Sequence, residues 1–154
     1  MSEQAEGAAA RIVKSLIDAW NAHDARAFAQ NFAEDADFTN VFGMHARGRG
    51  AIVEFHAPVF ATMFKDSELT ARETRVRTIR DDVATVDLRW AMTGARGPDG
   101  SPWPRREGLI NLVLTRDAGG WSIAVMHNMD LPPEEMAKAQ EALQRGSSAS
   151  GRSG

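Results

Sequence analysis

The hydrophobic period of this chain changes from roughly 3.6 residues to 2 near Asp66, and that switch limits the folds open to it. Before the switch, Ala9, Ile12, Val13, Leu16, Ile17 and Trp20 recur at helical spacing, which predicts an amphipathic helix over residues 3–22. Asp24 reads as the N-cap of a short second helix that carries Phe28 and Phe32 and ends at Asp35-Ala36-Asp37. Residues 38–42 read as a short extended piece, and Gly43 as a turn. Residues 48–64 are helical again, with Ile52, Phe55, Val59 and Met63 on one stripe and a kink at Pro58, which has no N–H to donate. After the switch come residues 69–79, 83–93, 106–116 and 121–129, four strands separated by turn-forming segments. Helices first and hairpin-linked strands afterwards predict an α+β fold, with three N-terminal helices packed on a curved, mainly antiparallel sheet.

A chain of 154 residues suits one domain with a core of its own. The expected division is one domain over residues 1–131, a weak helix over 132–145 and a disordered Gly/Ser-rich tail over 146–154. There is no cysteine, which removes disulfides, thiolate nucleophiles and cysteine metal sites and is compatible with a cytoplasmic location. There is no tyrosine, so no phenol serves as a general acid or oxyanion donor. A net charge of -3 argues against a nucleic-acid partner. No signal peptide and no apolar run of membrane-spanning length is visible.

The third long strand bears on assembly. Leu109 and Val113 point one way, while Ile110, Leu112 and Leu114 point the other, so the strand is apolar on both faces. A sheet with one wet face alternates instead. The outer face is expected to meet a second copy of the chain in a homodimer, or else the C-terminal segment.

Polar groups on apolar faces are the candidates for chemistry. His56 shares a helix side with Phe60 and Phe64, and is either a satisfied core histidine or a pocket acid or base. His127 shares its strand face with Ile123, Val125 and Met129, and has the same two readings. Asn111, between Leu109 and Val113, is either a structural bond or a ligand contact. Trp20 and Trp90 are core residues or an aromatic wall. His23 and His45 read as capping or exposed. No metal-ligand spacing, nucleophile elbow or nucleotide-binding loop is present, so no metal and no cofactor is expected.

The segments Trp20-Asn21-Ala22-His23-Asp24, Phe32-Ala33-Glu34-Asp35-Ala36-Asp37-Phe38-Thr39-Asn40-Val41-Phe42-Gly43 and Gly119-Gly120-Trp121-Ser122-Ile123 resemble the nuclear transport factor 2-like, or SnoaL-like, superfamily over residues 8–131. Asn40-Val41-Phe42-Gly43 and His127-Asn128 are similar to its SgcJ/EcaC-type branch. The resemblance implies a cone-shaped fold and a small-molecule ligand. The superfamily includes isomerases, cyclases, dehydratases, plain binders and association modules, so function is not fixed by it. Set beside ketosteroid isomerases, Asn40 takes the place of the general-base Asp and Leu16 that of an oxyanion Tyr. Asn111 takes the place of a protonated Asp donor, and His56 that of a supporting Tyr. The base is therefore replaced by a group that cannot take a proton. The resemblance implies that Trp20, Leu88, Trp90, Val125 and His127 line the cone, with Asn40, His56 and Asn111 as polar groups and Met129 on the same wall. If the protein is an enzyme, His56 or His127 is the acid/base of a proton-transfer, cyclisation or hydration reaction.

Overall fold

A computed structural model describes residues 4–150, with side chains described as far as Ser147. Helix α1 (Ala5–Asn21) buries Ala8, Ala9, Ile12, Val13 and Leu16, the stripe its periodicity calls for. Helix α2 (Ala25–Ala29) starts at Asp24, whose carboxylate accepts from the Ala27 N–H at 3.0 Å. It is shorter than the sequence suggests. Asn31 Nδ2 donates to the Phe28 carbonyl at 3.2 Å, and the Asn31 carbonyl accepts from Ile123 N–H at 2.8 Å. The chain thereby leaves the helix for the sheet, and Phe32 opens a strand instead of completing a helical pair. Strand β1 (Phe32–Thr39) and strand β2 (His45–Arg47) follow, then helix α3 (Arg49–Phe60). Helix α3 ends within one turn of Pro58 instead of kinking and running on to residue 64, and the Phe64 N–H returns to the Val59 carbonyl at 2.9 Å.

Four long strands complete the sheet: β3 (Glu68–Arg80), β4 (Val83–Thr93), β5 (Arg106–Asp117) and β6 (Gly120–Asp130). The order is β2-β1-β6-β5-β4-β3, with β1 parallel to β6 and every other pair antiparallel. The helices cover one face. Phe28 of α2 and Ile52 of α3 meet Phe32, Val86, Leu88 and Trp90 of the sheet in the core, each almost wholly buried. Each such side chain contributes about 1.5–3 kcal/mol of transfer free energy. The architecture is the α+β cone expected from the sequence.

One irregularity decides what the sheet presents to the helices. Val113 pairs with Val125 but Leu114 pairs with Ile123, so Ala124 is an extra residue in β6. This β-bulge reverses the in/out alternation beyond it. Trp121 and Ile123 face the core before the bulge; Met126 and Asn128 face it afterwards.

Helix α4 (Glu134–Ser150) takes in residues 146–150, which the sequence assigns to a tail; residues 151–154 lie outside the described residues. All described side chains of α4 are exposed, and its first turns are linked by Glu134 to Lys138 at 2.9 Å. The described side chains of the C-terminal segment therefore do not cover the outer sheet face. No helix among the described residues is long and apolar enough to cross a membrane.

Candidate functional site

The concave sheet face and the helices enclose a cavity of about 410 Å³. Its walls are apolar and aromatic: Leu16 and Trp20 from α1, Phe38 from β1, Leu88 and Trp90 from β4, and Ile110 from β5. Grooves of similar volume, such as the one between α1 and β3, are shallow surface features lined partly by Lys14 and Asp18. Phe42 and Met44, both more than half exposed, form an apolar lip at the mouth of the cone.

His56 is the ionisable group set deepest in this wall. The residue is 2% exposed, and its ring lies 4.4 Å from Phe28, 4.7 Å from Phe38 and 5.2 Å from Phe55 between centroids. Its Nδ1 lies 2.8 Å from the Ile52 carbonyl. A carbonyl can only accept, so Nδ1 carries the proton and Nε2 holds the lone pair. Nε2 has no partner among the described residues, and no fully enclosed side-chain nitrogen or oxygen there lacks one. Nε2 therefore borders the open cavity. Desolvation pushes the pKa of His56 down from 6.5 to about 4, against the smaller opposing effect of the Ile52 bond. At neutral pH the site thus offers an uncharged acceptor, not an imidazolium.

The remaining polar groups are two asparagines, an arginine and Glu54, an exposed residue of α3. Asn40 Oδ1 accepts from the Phe42 N–H at 3.0 Å and the Met44 N–H at 2.8 Å, closing the β1–β2 turn, and the Nδ2 hydrogens of this cavity-lining residue have no partner among the described residues. Asn128 Oδ1 accepts from Trp90 Nε1 at 2.8 Å, so its amide nitrogen is likewise the free end. These backbone and indole donors fix both amide orientations. Trp20 Nε1 donates to Ser67 Oγ at 3.0 Å, which holds that wall in place. Arg106 joins the lining from the start of β5.

Of the residues singled out from sequence, Trp20, Asn40, His56, Leu88 and Trp90 are brought together on the cavity. Asn111, Val125, His127 and Met129 are not; the expectation that they line the cone is corrected. Asn111 is exposed on the outer sheet face and donates to Asp87 Oδ1 at 2.8 Å; Arg75 donates to the other oxygen at 2.9 Å. Asn111 and then Arg75 hold the Asp87 carboxyl below the usual carboxylate range. His127 is exposed and Met129 is 50% exposed, because the Ala124 bulge turns Val125, His127 and Met129 outward. Sequence reasoning missed Arg106, Met126 and Asn128. The adjacent apolar pair Val125-Met126 breaks strict alternation and was the available sign of the bulge. His45, read as exposed, pairs with Asp37 at 3.1 Å, and His23 Nε2 lies 3.2 Å from the Ser67 carbonyl.

Among the described residues, no three His, Asp or Glu side chains converge as metal ligands. The geometry is that of a cone-shaped α+β protein with a buried apolar pocket. Residues 13–118 match the SnoaL-like domain family, and the chain belongs to it. Members of this family commonly bind small molecules, and some are enzymes. No match was found among curated proteins.

Solved structures agree on the fold. An uncharacterised protein with a cystatin-like fold from Caulobacter vibrioides is 28% identical, with a TM-score of 0.83, over 91% of this chain and 98% of that one. A putative aromatic ring hydroxylase from Novosphingobium aromaticivorans is 23% identical, with a TM-score of 0.69, over 82% of this chain and 88% of its own. LinA is 12% identical, with a TM-score of 0.75, over 82% of this chain and 86% of its own. The last two likenesses are likenesses of fold alone.

Proposed function

We propose that the cone binds a small, mainly apolar or aromatic molecule and that His56 acts on it as a proton acceptor. The observation that carries this is the bare Nε2 lone pair of a neutral, caged histidine on a cavity of about 410 Å³. Asn40 and Asn128 offer N–H donors on the same cavity, where they would stabilise oxygen charge that develops as the proton leaves. A base facing amide donors suits proton transfer next to a carbonyl, as in isomerisation, cyclisation or dehydration and hydration chemistry. Asn40-Val41-Phe42-Gly43 and His127-Asn128 support a place near the SgcJ/EcaC-type branch.

One observation favours a second reading, a non-catalytic binder or carrier. A histidine with a pKa of about 4 is a weak base, and its Nδ1 partner is a backbone carbonyl, not a carboxylate that would strengthen it. A third reading, an association module, calls for a cone filled by its own side chains, whereas this cone is open. Deuterium exchange discriminates the first two. In D2O, the protein should catalyse exchange at the methyl group of 2-acetonaphthone, and His56→Gln should lose the exchange while still binding. Saturable binding without exchange in the native protein would establish the binder. Absence of binding would remove both.

Assembly follows from the uncovered outer face. We infer a homodimer through that face, because Leu109, Val113 and Val125 are only half-buried there and the described side chains of α4 do not cover them. Sedimentation at micromolar concentration should give a dimer, and Val113→Lys should give a folded monomer. A monomeric native protein would refute the dimer.

A further inference from the structure

The interior of the cone has a surplus of hydrogen-bond donors, and Arg106, ion-paired with Asp130, adds a guanidinium to it. Arg106 lies on the inner face of β5, with its side chain 14% exposed. Its guanidinium sits 5.5 Å from the Trp90 ring and 5.4 Å from the Trp103 ring, so two aromatic faces hold it in place. Nε and Nη2 donate to a single oxygen of Asp130, at 3.2 and 2.7 Å. Nη1 has only the Met92 sulfur, at 3.8 Å, as an acceptor among the described residues. A thioether is a weak acceptor, so the Nη1 hydrogens are barely engaged. Met92 itself lines the cavity, which places that end of the guanidinium beside the ligand space. Asp130 is 46% exposed, so water screens the countercharge more than it screens the arginine. The free amide ends of Asn40 and Asn128 are donors too. Against these, the free acceptor is His56 Nε2, and Glu54, the carboxylate in the lining, is an exposed residue of α3.

We infer that the cone is built for an aromatic or apolar carboxylic acid, its carboxylate on Arg106 Nη1 and its apolar body along Trp90 and Leu88. This rests on the reading of the cone as a ligand site. A carboxylate satisfies the half-used guanidinium and remains an acceptor for the Asn128 amide. A hydrocarbon leaves those donors without partners in an apolar wall.

The test compares 2-naphthoate, methyl 2-naphthoate and naphthalene, read by tryptophan quenching and calorimetry at pH 7. The native protein should bind the acid about tenfold to a hundredfold tighter than its ester, the range for a charge-assisted hydrogen bond in a partly buried site. In Arg106→Met that ratio should collapse towards one. In Asp130→Asn the arginine stays but loses its countercharge, so the ratio should rise; this variant decides the matter if Arg106→Met does not fold. An acid bound no tighter than its ester, or a ratio indifferent to both substitutions, overturns the inference. If ester and naphthalene still bind in that case, the reading of the cone as an apolar ligand site survives alone. If no probe binds, both fall.

Discussion

Replacing Gly108 by alanine is expected to lower the melting temperature by roughly 6–12 °C, corresponding to a loss of about 3 kcal/mol. Gly108 lies on the inner face of β5, directly opposite Trp90 of β4. A Cβ there would stand 2.0 Å from Trp90 Cζ2, 2.2 Å from Trp90 Cε2 and 2.5 Å from the Met129 carbonyl oxygen. The carbonyl belongs to the neighbouring strand and cannot rotate away. The indole could yield only by giving up its bond to Asn128 and its contact with Arg106. Glycine is therefore what lets a tryptophan lie flat against the sheet and form the cavity wall. Ligand binding should fall together with stability, because the displaced ring must enter the cavity or leave it open to water. The matched control is Gly50→Ala in the first turn of α3, where nothing lies within 4 Å of the added carbon. That change should be neutral or slightly stabilising, since alanine is the better helix former. Thermal melts that shift equally for the two variants would show that Trp90 does not pack on Gly108.

The same pair illustrates how far sequence reasoning reaches. Trp90 was legible as an inward-facing residue, because β4 alternates without interruption from Ala84 to Trp90. Its partner was not, since a glycine within a strand carries no hydrophobic signal and its meaning comes from a contact across the sheet. The four long strands and the first helix were legible from period alone. The end of α2 was not, because Phe32 keeps helical spacing from Phe28 while its backbone is captured by β6 through Asn31. Within the site, His56 was legible as a polar group on an apolar helix face, and that local pattern survives folding. His127 had the same pattern on its strand, but strand faces are counted residue by residue, and one extra residue at Ala124 inverts the count. Asn128 and Arg106 gained their places through that inversion and through cross-strand stacking, which are tertiary events. The tyrosine-free composition excluded a phenol-based oxyanion hole. The structure puts amide and guanidinium donors in the cavity instead.

His56 should make the protein's stability fall as the pH drops from about 6.5 to 4, by about 3 kcal/mol in all. The ring is neutral in both states at pH 7. Below its ordinary value of 6.5 the unfolded chain takes up a proton that the native state, with a pKa of about 4, does not. The unfolded state binds more protons across this window, so stability rises with pH and is complete above about 6.5. Below pH 4 both states are protonated and this contribution is gone. Asp87 and Asp99, whose carboxyls are held below the ordinary 3.8, act in a lower window: their contributions are present above 3.8 and are lost as the pH falls further. The two windows separate the histidine from the acids. Urea unfolding at a series of pH values from 7 to 4.5 should show the slope in the native protein and its loss in His56→Phe, which keeps an aromatic ring in the cage. The same protonation should govern ligand chemistry. An acceptor at Nε2 is lost once the ring is protonated, so acid-limited catalysis should fall off near pH 4, not near 6.5. A stability slope that survives His56→Phe would mean that the ring is solvated. In that case Nε2 would be protonated near pH 6.5, and the loss of the proton acceptor would move up there from the value near 4 expected for a buried ring.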